Sequence, residues 1–78
     1  MWTVYILKCA DGKYYVGCTG DLTKRLTKHH NREVSFTSTR LPVELVTHII
    51  FTDRYKAFNF EKYLKSGSGH AFMNKRLI

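Results

Sequence analysis

Asp11-Gly12 stands between two short runs of aromatic and β-branched residues, Trp2 to Leu7 and Tyr14 to Cys18. This is the pattern of a β-hairpin, because both runs suit a pleated surface and the Asp-Gly pair supplies the turn. Two strands alone are not stable in water, so the remainder of this 78-residue chain has to cover them.

The elements that follow can do so. Thr19 or Asp21 can cap a helix running to about His30, and Asn31 to Pro42 reads as a polar loop. Val43 to Phe51 looks like a third strand, its first turn held extended by Pro42. Thr52 can cap a second helix from Asp53 to about Lys65. Ser66-Gly67-Ser68-Gly69 breaks that helix, the glycines reading as its C-cap, and His70 to Leu77 looks like a short last helix. The order strand-strand-helix-strand-helix-helix predicts an α+β fold: a three-stranded antiparallel sheet flanked by helices, with residues 1–78 forming one domain. No strand precedes the GSG at 67–69, so it is not a phosphate loop.

Charge narrows the choice of partner. Thirteen Lys and Arg face six Asp and Glu, a net +7 spread along the chain, which favours an anionic polymer such as nucleic acid. The longest apolar patch, near VELVTHIIF, is too short to span a membrane. With no basic leader after Met1, the chain is expected to be cytoplasmic. Cys9 and Cys18 lack CxxC spacing and read as ordinary thiols. A disulfide, or a zinc site with some of the four histidines, stays open.

Helical periodicity exposes two polar residues in odd places. Leu22 and Leu26 mark the core stripe of the first helix; Arg25 and His29 run along its edge, while Lys24 and Lys28 point away. A snorkelling arginine beside a satisfied histidine is one explanation, and a phosphate site is the other. In the second helix Glu61 flanks the stripe of Ala57, Phe60 and Leu64. A carboxylate there needs a salt bridge, for which Arg54 is available, or a divalent ion, or exposure. Tyr5, Tyr14 and Tyr15 lie on the hairpin leading into this region. At an ordinary phenol pKa of about 10, roughly 0.1% is ionised at pH 7, so a tyrosine base needs help from neighbouring charge.

Val4-Tyr5-Ile6, Tyr15-Val16-Gly17, Arg25, His29 and the later helical Glu61 together resemble the GIY-YIG nuclease superfamily. More narrowly, the chain resembles its small stand-alone bacterial members, relatives of the nuclease domain in the incision subunit of nucleotide excision repair. The sequence departs from the family's name at both motifs, with valine at 4 and at 16. The resemblance implies a divalent-metal-dependent endonuclease or nickase that hydrolyses a DNA phosphodiester bond with one ion, Mg²⁺ or Mn²⁺. It makes Glu61 the metal ligand, Arg25 the phosphate-binding arginine, and Tyr5 or Tyr15 the general base or its orienter. It places His29 one turn after the arginine, and Gly17 where backbone and substrate come close. Asn74 is a candidate for a late-helix asparagine near the metal. Lys24 and Lys28 would track phosphates, and Thr37, Ser38 and Arg40 are candidate substrate contacts.

Two other readings stand beside the nuclease: a non-catalytic nucleic-acid-binding module of the same fold, and a structural role in which Arg25 and Glu61 simply pair. The nuclease reading asks Arg25 and Glu61 to share one side of the sheet. It also sets a condition on the hairpin. A plain two-residue turn at Asp11-Gly12 would pair Tyr5 with Cys18 and turn Tyr5 away from Tyr15. For both tyrosines to serve one site, the loop must be odd in length, such as a three-residue turn, or the strand must bulge.

Overall fold

The computed structural model describes residues 1–78 and contains the expected three-stranded antiparallel sheet flanked by helices. The strands are β1 (Trp2–Lys8), β2 (Tyr14–Thr19) and β3 (Glu44–Phe51), in the spatial order β2-β1-β3. The helices are α1 (Leu22–His30), α2 (Ser35–Ser38), α3 (Arg54–Leu64) and α4 (Gly67–Arg76). No helix is long and apolar enough to cross a membrane.

β1 is the centre of the molecule and is buried on both faces, from Thr3 through Leu7. Alternation divides its side chains between two cores. Val4 and Ile6, joined by Val16 of β2, pack against Ala57 and Leu64 of α3 and Met73 of α4. Tyr5 and Leu7 turn to the opposite face, where Leu22 and Leu26 of α1 cover them together with Val43. Burying an aliphatic side chain of this kind contributes roughly 1.5–3 kcal/mol. Beside β3 the ladder shifts between Ile6 and Leu7, where Val46 is the extra residue.

The hairpin meets the odd-loop condition. Lys8 pairs with Tyr14, Cys9 N–H bonds the Lys13 carbonyl at 2.8 Å, and Gly12 N–H bonds the Cys9 carbonyl at 3.0 Å. Ala10, Asp11 and Gly12 therefore form a three-residue turn, and Gly12, at φ 85°, takes the left-handed position that closes it. Tyr5 consequently pairs with Gly17, and Tyr15 with Leu7.

Four local expectations are corrected. The stretch 31–42 contains a short helix, α2, and is not wholly loop. Asp53, not Thr52, caps α3, its carboxylate accepting Tyr55 N–H at 2.8 Å. The Ser-Gly stretch starts α4 and is more than a stop for α3: Ser66 caps the helix by accepting Gly69 N–H at 3.2 Å. Gly69 is required by packing, since a Cβ there would stand 1.6 Å from the Tyr63 carbonyl oxygen. Finally, Arg54 lies over Trp2 and Phe58, so it is not the partner of Glu61. Both cysteines are free thiols, and no group of three or more His, Cys, Asp or Glu side chains converges as a metal site.

Candidate functional site

α1 is capped by Asp21, whose carboxylate accepts Lys24 N–H at 3.1 Å, and this fixes the helix across the Tyr5 face of the sheet. His29 is the one buried residue of α1, more deeply placed than either leucine. A buried imidazole must satisfy both ring nitrogens. Its Nε2 lies 2.8 Å from the Tyr5 hydroxyl, and its Nδ1 lies 2.7 Å from Thr37 Oγ1 on α2. Thr37 itself donates to the Val34 carbonyl at 3.4 Å, so its oxygen is left to accept from His29 Nδ1–H. Nε2 then accepts the Tyr5 proton, and the phenol oxygen in turn accepts Arg25 Nε–H at 3.2 Å. A directed chain results: Arg25 donates to Tyr5, Tyr5 to His29, His29 to Thr37, and Thr37 to the backbone. Bonds aligned in this way polarise one another.

Tyr5, His29 and Thr37 are each fully buried, and no buried side-chain nitrogen or oxygen in the protein lacks a partner. Burial holds the His29 pKa down at about 4, with the charges of Arg25 and His30 adding to the effect. Burial also pushes Tyr5 up to about 12, overriding the opposite pull of Arg25. Both rings are therefore neutral at neutral pH. The bond to Tyr5 raises the Arg25 pKa, burial opposing it, so the guanidinium stays charged.

Tyr15 shares the Tyr5 face, with its ring centroid 6.1 Å from that of Tyr5 and 4.9 Å from that of His29. It is half-buried, which makes it the accessible member of the tyrosine pair. Tyr14 turns the other way and packs on the α3 core. Gly17 is buried beneath Tyr5: a Cβ at 17 would lie 2.4 Å from Tyr5 Cζ and 2.4 Å from its hydroxyl. The missing side chain makes room for this ring, and the space is not open to substrate.

Arg25 opens into a cleft of about 440 Å³ that wraps the end of β2, an edge strand. Lys24 and Lys28 line the same cleft, so they join the arginine and do not point away from it. The one acidic wall residue is Asp21, whose carboxylate is engaged by the helix cap. Trp2 and Cys18, which belong to the α3 core, complete the far wall.

The expectation that Arg25 and Glu61 share one side of the sheet is corrected. α1 packs on the Tyr5 face and α3 on the Val4 face, because successive residues of β1 point in opposite directions. Arg25 and Glu61 do not pair. Glu61 bonds Lys65 at 3.0 Å with its side chain 22% exposed. α3 does pack against β2, the edge strand whose Cys18 lines the Arg25 cleft, but Glu61 itself does not line that cleft. Glu61 is the one carboxylate that α3 offers to a hard ion, and Lys65 holds it.

The remaining candidates fall elsewhere. Thr37 is buried under His29 and is not a substrate contact; nothing in its local sequence signals its role as partner to the second ring nitrogen of His29. Arg40 pairs with Asp11 at 3.0 Å, donates to the Phe36 carbonyl at 2.6 Å and lies 4.1 Å over the Phe36 ring. Ser38 caps its own turn through the Ser35 carbonyl at 2.8 Å. Asn74 is exposed on α4 and makes no hydrogen bond to Glu61.

Residues 1–76 match the family model described as the GIY-YIG catalytic domain. A UPF0213 protein of Lacticaseibacillus paracasei is 37% identical over 67 residues, covering 85% of this chain and 75% of that protein. UPF0213 proteins of Bacillus pumilus and Nitratidesulfovibrio vulgaris are 43% and 41% identical over 80% and 83% of this chain. The chain spans only 64% and 60% of the length of those two relatives. Among solved structures, the UPF0213 protein of Bacillus halodurans, determined by solution NMR, superposes with a TM-score of 0.61 at 30% identity. That match covers 99% of this chain and 87% of the other.

Proposed function

The chain belongs to the GIY-YIG family, and from that premise we propose that it binds a nucleic-acid backbone, most simply DNA, in the cleft at the end of β2. The observation that carries the reading is the convergence of Lys24, Arg25 and Lys28 on one cleft whose acidic residue is already engaged. Arg25 is the phosphate-seating residue. Tyr5 takes its Nε–H from behind, which leaves the terminal N–H donors to grip a phosphate in bidentate fashion. The buried chain behind Tyr5 sets the direction in which that fork points, and Lys24 and Lys28 hold the neighbouring phosphates. We take residues 1–78 as one domain for this purpose, since both cores rest on β1. Fluorescence anisotropy with a labelled oligonucleotide tests the reading: binding should weaken with salt and with Arg25→Ala, and no binding at low salt overturns it.

A second reading, metal-dependent cleavage at the same site, is supported by the match to a catalytic-domain family model and by the packing of α3, which carries Glu61, on the β2 edge that lines the cleft. Glu61 would hold the ion, which when bound supplies positive charge to a non-bridging phosphate oxygen. Lys65 would have to release Glu61 first. Arg25 would offset charge growing on the phosphate, and Tyr15, the accessible phenol, would orient the attacking water. Tyr5, neutral and buried, acts through Arg25 and not as a base. The likeness to the excision-repair nuclease domain belongs to this reading, and it is supported by the gathering of Tyr5, Tyr15, Arg25 and His29 around one chain of contacts.

A further inference from the structure

We propose that the groove between α2 and α4 receives one unpaired base of the strand whose backbone lies in the basic cleft; this rests on the nucleic-acid reading above and specifies its substrate as single-stranded or locally unpaired. The groove, about 320 Å³, falls at the small end of ligand-site volumes, roughly 300–1,000 Å³. Its walls include Tyr15 and Phe36, its floor the buried Leu64 and Met73, and its rim Lys65 and His70. An aromatic and apolar slot with nitrogen groups at its mouth suits a flat heteroaromatic ring that carries polar edges.

Phe36 is the informative residue. It is 37% exposed on a four-residue helix, yet it is held firmly. Arg40 covers the ring at 4.1 Å, binds the Phe36 carbonyl, and is itself fixed by Asp11 of the hairpin turn. Arg40 does not line the groove, so the phenyl surface turned toward the groove is left free. An exposed ring clamped from behind makes a stacking platform, and its neighbour Tyr15 lies 5.7 Å away.

The placement relative to Arg25 identifies the occupant. Tyr15 contacts Phe36 on one side and the Tyr5–His29 pair on the other, and Tyr5 holds Arg25. Both recesses run along β2, the groove at Tyr15 and the cleft at Cys18, about 10 Å apart at the usual strand rise. No acidic residue lines the groove, and the whole chain carries net +7. The occupant that continues from an anionic backbone into an aromatic slot is a nucleobase. In a duplex the base stays in its stack unless flipped, so paired strands leave the groove empty.

The test uses the full chain in EDTA, with an oligonucleotide carrying one 2-aminopurine, presented as a single DNA strand, a single RNA strand and a DNA duplex. Wild-type protein should quench 2-aminopurine in a single strand and bind that strand more tightly than the duplex. The DNA and RNA arms report which sugar is accepted. Phe36→Leu keeps the apolar volume but removes the ring, and it should abolish the quenching and weaken single-strand binding by about 5-fold or more, with duplex binding unchanged. Equal affinity for strand and duplex, with no quenching and no effect of Phe36→Leu, overturns the groove while leaving backbone binding in place. Failure of the wild type to bind any of the three at low salt overturns the backbone reading and the groove with it.

Discussion

The ring of Tyr5 occupies the place that a side chain at Gly17, its partner across the β1–β2 ladder, would need. Gly17→Ala therefore pushes directly on the phenol that orients Arg25. Overpacking of this kind costs about 1–3 kcal/mol. Urea unfolding should show that loss, and oligonucleotide binding should fall as well, although residue 17 touches no ligand. Unchanged stability would mean that the ring has another place to go.

Thr37 accepts from His29 and thereby anchors the far end of the chain. Thr37→Val is nearly isosteric but leaves a buried N–H without an acceptor, a loss of about 1–3 kcal/mol. Thr37→Ser should restore most of it. If valine and serine prove equal in urea unfolding, the hydrogen bond is not what Thr37 contributes.

His29 makes stability depend on pH. Its folded pKa of about 4 lies below the ordinary value of 6.5, so between the two the unfolded chain binds more protons than the folded one. Stability conferred by the neutral ring is full above about pH 6.5, falls as pH drops toward 4, and levels off below that value. The loss is on the order of 3 kcal/mol. Urea midpoints measured from pH 7 to pH 4 should trace it, and His29→Gln should flatten the trace while lowering the whole curve.

Lys24, Arg25 and Lys28 predict a salt dependence. Three phosphate contacts give a log–log slope of about −2.7 on duplex and about −2.1 on a single strand. Removing either lysine should reduce the slope by about one contact. A slope near zero would show that this cleft does not hold the backbone.

Glu61 separates binding from cleavage. With magnesium or manganese, Glu61→Gln should abolish nicking of supercoiled DNA and leave binding in EDTA intact. Arg25→Ala should impair both. Equal nicking by the wild type and both variants would mark the activity as a contaminant's.

Much of this arrangement is written in local pattern. The strands follow from alternation, Arg25 and His29 stand out at the margin of a leucine stripe, and the tyrosine register demanded an odd turn that is present. What escaped depends on neighbours distant in sequence. α2 is too short to show a period, and Thr37 becomes informative only beneath His29. The glycines of α4 read as a stop, because the carbonyl of Tyr63 that forbids a side chain at Gly69 lies on another helix. A helical projection placed Lys24 and Lys28 away from the core; it could not show that this outer side bends around a sheet edge into the same recess as Arg25.

The turn at Ala10-Asp11-Gly12 also acts as a counter. With the turn kept at three residues, one residue more or less between Tyr5 and Tyr15 would exchange Tyr15 for Tyr14 on the Arg25 side and dismantle the site without altering any of its residues. Two more would leave it whole. A single insertion must therefore be answered by a bulge or by a four-residue loop that keeps the pairing. What the turn sets between the two tyrosines is an even-or-odd count, a quantity that belongs to no single residue.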